Sequence, residues 1–153
     1  VENERFVATL ALQDGYHFEV RLDDEPIVRL EVDEARPVGE DRGPNPARML
    51  ATAVGHCLGS SLLFCLRKAR VPVDGLTVRV EGDLTRNERG RLRLGGLHVR
   101  LEPGLAPEER ARAGRCLEVF QDYCIVTESV RRGLPVSVTV EPAQVASARP
   151  ASC

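Results

Sequence analysis

The chain has 153 residues, 42% hydrophobic and 29% charged, with a formal net charge of −2. This composition fits one globular domain, long enough to bury a core without disulfide staples or a metal. The near-neutral charge leaves no electrostatic footprint for nucleic acid, and 4% aromatic residues with no Trp offer no stacking platform. The most apolar stretch, 49–66, is interrupted by Gly55, His56, Gly59, Ser60 and Ser61, so no run approaches the ~20 residues that span a bilayer. Val1-Glu2-Asn3-Glu4-Arg5 lacks the apolar region of a signal peptide, and a cytoplasmic location without a membrane partner is expected.

Segments 5–12 and 16–22 alternate in polarity around Gln13-Asp14-Gly15. Asp-Gly is a strong hairpin signal, so two paired strands are predicted. A third strand is expected over 26–32, where Ile27, Val28, Leu30 and Val32 are apolar. Residues 33–44 are rich in Pro, Gly and charge and read as a loop. Asn45-Pro46 then combines a good N-cap with Pro at the first helical position. The helix it starts is expected to run through 47–70, apolar on most faces and therefore buried on nearly all sides. Gly55 and Gly59-Ser60-Ser61 would let other backbones approach it closely. Arg67, Lys68 and Arg70 suit its C-terminal dipole, and Pro72 stops it.

Residues 76–84 alternate cleanly, Asn87-Glu88-Arg89-Gly90 turns the chain, and 91–101 return as a strand. Helical spacing over 107–123 places Ala111, Gly114, Cys116, Leu117, Phe120 and Cys124 inward. A short helix is expected over 125–132 with Gly133 as its stop, then a last strand marked by Val136, Val138 and Val140. Strands joined by hairpins and helices in blocks make this an α+β protein. A single domain is expected over 1–141, and the Ala/Pro/Ser-rich segment 142–153 is expected to be a disordered tail.

Five cysteines, Cys57, Cys65, Cys116, Cys124 and Cys153, occur at wide spacing without CxxC, beside only three histidines. That is no zinc pattern, and in a reducing compartment five free thiols are expected. Cys65 and Cys116 fall on apolar helix faces and read as core; Cys153 reads as incidental.

One constellation goes beyond composition. Gly43-Pro44-Asn45-Pro46 leads into Cys57 within Ala53-Val54-Gly55-His56-Cys57-Leu58, and far downstream stand Asp122-Tyr123-Cys124-Ile125-Val126, Ser129-Val130 and Gly133-Leu134-Pro135-Val136. Together they resemble the OsmC/Ohr family of thiol proteins, from about the first hairpin to Val140. The resemblance implies an intertwined homodimer, antiparallel sheets wrapped around long central helices, and sites at or near the subunit interface. It also implies reduction of organic hydroperoxides and hydrogen peroxide, with Cys57 as the attacking thiol and Cys124 as the resolving one. No metal or organic cofactor is implied; a dithiol reductant regenerates the thiols.

A thiolate that attacks a peroxide becomes a sulfenic acid, which a second thiol condenses to a disulfide. The attacker must be ionised, so its pKa must fall below ~8.5. Cys57 is predicted about three turns inside its helix, beyond the reach of the helix dipole. In the family an Arg from the preceding loop, held by a Glu, supplies the charge. Arg36 matches that Arg best, with Arg42 and Arg48 as competitors. Where the family has its acid, ten residues before Cys57, this chain has Ala47; Glu34 and Glu40 are possible substitutes. Ile125 stands where Pro is common, which marks a divergent branch. Cys124, just before a helix start, is also placed to favour a thiolate. His56 reads as an interface or packing residue, because adjacent helical residues point ~100° apart. Phe120 and Tyr123 are expected to line an apolar pocket. Two functions follow: a thiol peroxidase built on Cys57, Cys124 and Arg36, or a non-enzymatic dimer that binds a small apolar or thiol ligand or senses oxidants.

Overall fold

The architecture is that of a computed structural model describing residues 7–22 and 30–142. The expected tail from 143 onward, Cys153 and the start of the third strand lie outside the described residues.

The first sheet contains β1 (Ala8–Asp14), β2 (His17–Leu22) and β3 (Leu30–Val32) in that order, all antiparallel. The Asp-Gly signal makes the turn, with Gly15 at φ 49°, a conformation open to glycine at little cost. The register runs Leu10 opposite Val20 and Leu12 opposite Phe18, then shifts between Leu12 and Asp14. An alternating strand is expected to bury one face, yet β1 is exposed along its whole length, Leu10 and Leu12 included. Alternation reports a face suited to burial, and among the described residues nothing covers that face.

The loop 33–44 is organised by one carboxylate. Asp33 is buried and accepts the backbone N–H groups of Glu34, Glu40 and Arg42 at 2.8, 3.1 and 3.1 Å. Burial would raise its pKa, but those three bonds and nearby His17 outweigh it and hold the carboxyl below its ordinary range.

Helix α1 (Pro46–Lys68) begins where the sequence indicates: Asn45 Oδ1 accepts the N–H of Arg48 at 2.9 Å, and Pro46 opens the first turn. By length and composition α1 could cross a bilayer, but Val54, Leu58, Leu62 and Leu66 are buried in the protein core. The all-round burial expected for it is not met: Ala53, His56, Ser60 and Phe64 are exposed.

β4 (Leu76–Arg86) and β5 (Leu92–Pro103) form a long hairpin, Val78 opposite Leu101 and Val80 opposite Val99. The glycines of α1 set its distance from β4. A Cβ on Gly55 would lie 2.7 Å from Val80 Cγ2, and one on Gly59 3.1 Å from Val78 Cγ2. Only hydrogen fits at the first position without movement.

The segment expected to be one helix is divided: a 3-10 turn (Pro107–Glu109), α2 (Arg110–Val119) and a second 3-10 turn (Phe120–Tyr123). Its inward residues are Ala113, Cys116, Phe120 and Cys124, whereas Ala111 and Leu117 face outward. The expectation missed the phase because Ala111 is too small to mark a face. Arg112 reaches back to the end of α1, donating to the carbonyls of Ala69 and Arg70 at 3.4 and 3.2 Å, groups that a helix terminus leaves unpaired. Helix α3 (Ile125–Arg132) follows, with Gly133 at φ 75° after it. The expected last strand is not one here: 133–140 carry no assigned strand, and Val136, Val138 and Val140 are about four-fifths exposed (81, 80 and 82%). A strand is defined by its partner, and this segment has none among the described residues.

Candidate active site

The chain brings two distant cysteines together. Cys57 lies on α1, partly buried; Cys124 is the residue that caps α3 and is 1% exposed. Their thiols lie close enough for each to shift the ionisation of the other. Cys124 Sγ also lies 2.9 Å from Thr127 Oγ1, and the Ser61 hydroxyl acts on the same sulfur. The first turn of α3 completes the surroundings: the N–H groups of Val126 and Thr127 face Cys57, and that of Thr127 faces Cys124. These amides have no partner inside the helix, and a helix start favours negative charge.

The two sulfurs respond oppositely. Burial pushes the Cys57 thiol up, its bond to Cys124 adds to this, and the Val126 and Thr127 amides pull back without prevailing. Burial also opposes ionisation of Cys124, but it is outweighed by hydrogen bonds from Cys57, Thr127 and Ser61, so Cys124 falls below the ordinary thiol value. Two coupled thiols titrate as one unit. The pair therefore gives up its first proton early and holds the second late. Of the two sulfurs, Cys124 is the one whose surroundings favour negative charge.

Thr127 and Ser61 were missed in the sequence, although spacing carried the signal. Ser61 is four residues beyond Cys57, so both lie on one face of α1. Thr127 is three residues into the helix capped by Cys124, where a side chain returns to the cap.

The arginines stand elsewhere. Arg36 is exposed on the loop; its backbone N–H donates to Asp41 at 3.4 Å, and among the described residues no contact joins it to Cys57. Arg42 is held by Asp14 and Glu40, and its pKa is raised by those carboxylates. Arg48 is exposed and shares a shallow groove with His56. His56 lies 3.5 Å from Ser60 Oγ on the outer face of α1.

On the far side of Thr127 from Cys124 is a cavity of about 430 Å³, lined by Leu50, Val54, Leu58, Leu97 and Phe120 with His98, Gln121 and Arg131 among others; Thr127 lines it, and neither cysteine does. Phe120 thus lines an apolar pocket as expected. Tyr123 does not: it is 60% exposed, because the 3-10 turn points it outward.

Cys65 and Cys116 are not free thiols. They are joined as a disulfide between α1 and α2, with Cα atoms 5.6 Å apart. The sequence expectation of two core residues holds for their location, not for their bonding.

An α+β chain that places one thiol of its central helix against another at a helix start belongs to the class of dithiol proteins. Its family can be stated as well. The family model described as OsmC-like protein matches residues 39–139, and the chain belongs to that family. A search of curated proteins finds no match. Among solved structures, an OsmC-like protein of unknown function from Vibrio cholerae superposes with TM-score 0.71 at 12% identity, covering 82% of this chain and 93% of that one. An organic hydroperoxide resistance protein of Bacillus subtilis gives TM-score 0.60 at 17% identity, covering 84% and 91%. Another, from Legionella pneumophila, gives 0.59 at 20%, covering 86% and 92%. At such identities these structures show a shared fold.

Proposed function

We propose that this chain is a dithiol peroxidase that reduces organic hydroperoxides. The observation that carries the reading is that Cys57 of α1 and Cys124 at the start of α3 are brought close enough to shift each other's ionisation. Cys57 is the more exposed sulfur and so meets the peroxide. Transfer of its proton to Cys124 leaves a Cys57 thiolate, which attacks the outer peroxide oxygen. The O–O bond breaks, Cys57 becomes a sulfenic acid, and the alkoxide leaves as alcohol after protonation. Cys124 then attacks the Cys57 sulfur, water leaves, and a disulfide remains. A dithiol reductant returns both thiols by exchange. The apolar cavity suits the organic part of the substrate. Two solved structures with this fold are named organic hydroperoxide resistance proteins, which supports the same reading.

In this account the helix start and the Thr127 and Ser61 hydroxyls replace the Arg–Glu arrangement whose acid position is Ala47. Arg36, the expected activator of Cys57, makes no contact with that thiol among the described residues, and no chemical step is routed through it. We also propose that the working unit is a homodimer in the cytoplasm, with Leu134, Val136, Val138 and Val140 covered by the second copy.

The test is consumption of tert-butyl hydroperoxide with a dithiol reductant. Wild type should turn over and Cys57→Ser should lose essentially all activity; equal slow consumption by both removes the enzyme reading. The second reading, a ligand-binding or oxidant-sensing dimer, is favoured by the cavity. It predicts saturable binding of an apolar ligand with no turnover.

A further inference from the structure

The pair used above leaves a second pair of sulfurs without a role. Cys65 is half-buried on α1, Cys116 is buried on α2, and both lie against the core around Leu62, Leu66 and Ala113. Cys57 and Cys65 are eight residues apart on α1, and Cys116 and Cys124 are eight apart on the segment that runs back along it. Cys57 meets Cys124 and Cys65 meets Cys116, so the two pairs are rungs of one antiparallel ladder. Eight helical residues span ~12 Å. Thiol–disulfide exchange requires sulfur contact, so the rungs cannot exchange with each other while the helices are intact.

We propose that Cys65 and Cys116 form a second redox site, chemically separate from the first, whose disulfide fixes the register of α2 on α1 and thereby keeps Cys124 beside Cys57. The oxidant is a hydroperoxide or hydrogen peroxide. Cys65, the more exposed sulfur, attacks an oxygen; the O–O bond breaks, alcohol or water leaves, and Cys65 becomes a sulfenic acid. The Cys116 thiol then displaces water as the S–S bond forms. Two thiols lose two electrons and two protons, and the peroxide accepts them. Besides core packing, Arg112, bonded to the carbonyls that end α1, is the only other tie among the described residues between α2 and the α1 terminus, so the disulfide is the one covalent constraint on this contact.

The site is tested without the first pair. A variant with Cys57, Cys124 and Cys153 each replaced by Ser is reduced, exposed to hydrogen peroxide, alkylated after unfolding and mapped. The expected result is a Cys65–Cys116 linked peptide and a rise in thermal midpoint of roughly 10 °C, from closing a 51-residue separation. Recovery of Cys65 and Cys116 as alkylated thiols overturns the site. A second arm compares wild type, its Cys65–Cys116 bond intact, with Cys65→Ser/Cys116→Ser. Diamide, which joins adjacent thiols whatever their peroxide chemistry, should link Cys57 to Cys124 several-fold more slowly in the double variant. Equal rates overturn the positioning role. Neither arm depends on peroxidase activity.

Discussion

Replacing Thr127 with Val keeps the shape of the side chain and removes its hydroxyl. That hydroxyl lies 2.9 Å from Cys124 Sγ in a buried setting. A hydrogen bond to a charged group contributes ~1.5–3 kcal/mol. Ser61 and the α3 amides remain in Thr127→Val and recover part of the loss, so the lower end applies. At ~1.4 kcal/mol per factor of ten, the thiolate fraction of the pair near neutral pH should fall roughly tenfold. The assay is the rate of alkylation of the pair by iodoacetamide from pH 5 to 10, with thiolate absorbance followed in parallel. The rise in rate should move to higher pH in Thr127→Val, while Thr127→Ser, which keeps the hydroxyl, should stay near wild type. Identical profiles for wild type and Thr127→Val would refute the argument that hydrogen bonds hold the negative charge.

The coupled thiols should also shape stability. Cys124 is held below the ordinary thiol value, so its contribution is complete above ~8.5 and is lost as pH falls through its folded pKa. Cys57 is raised, so its contribution is complete below ~8.5 and is lost as pH climbs through its folded pKa. Relative to Cys57→Ser/Cys124→Ser, the reduced protein should therefore gain most stability near pH ~8.5, read from urea midpoints; a flat difference would contradict the coupling. Gly55→Ala should lower stability by about 1 kcal/mol, as overpacking against Val80 exceeds the gain in helix propensity. Gly114→Ala, where an added Cβ meets nothing within 4 Å, should instead raise it by ~0.5–1 kcal/mol; both are read by denaturant unfolding. Val138→Arg should shift sedimentation equilibrium from dimer to monomer, and a dimer that survives would show that 133–140 are not covered by the second copy.

Local signals were the legible part of the sequence. Asn45-Pro46 marks a helix start whichever tertiary structure follows, and Asp14-Gly15 and Asn87 to Gly90 specify turns within a few residues. Cys57 and Cys124 were legible through family resemblance, because nothing local joins residues so far apart. The rest depended on tertiary structure. Cys65 pairs with Cys116 only once α2 is laid antiparallel on α1, and eight-residue spacings carry that meaning in retrospect. Activation by Arg36 was expected because the start of α1 is too far from Cys57; what the sequence did not show is that the start of α3, from a different part of the chain, comes to lie beside the two thiols and lowers Cys124 rather than Cys57. Val136, Val138 and Val140 alternate as a strand should, but alternation cannot supply the neighbour that makes a strand.

The central claim is that Cys57 and Cys124 act as one redox unit. The direct measurement is thiol-resolved peptide mapping after the reduced protein, its Cys65–Cys116 bond left intact, meets one equivalent of tert-butyl hydroperoxide. The account predicts a Cys57–Cys124 linked peptide and one molecule of alcohol per chain. Full recovery of Cys57 and Cys124 as alkylated thiols, with the hydroperoxide unconsumed, would contradict it.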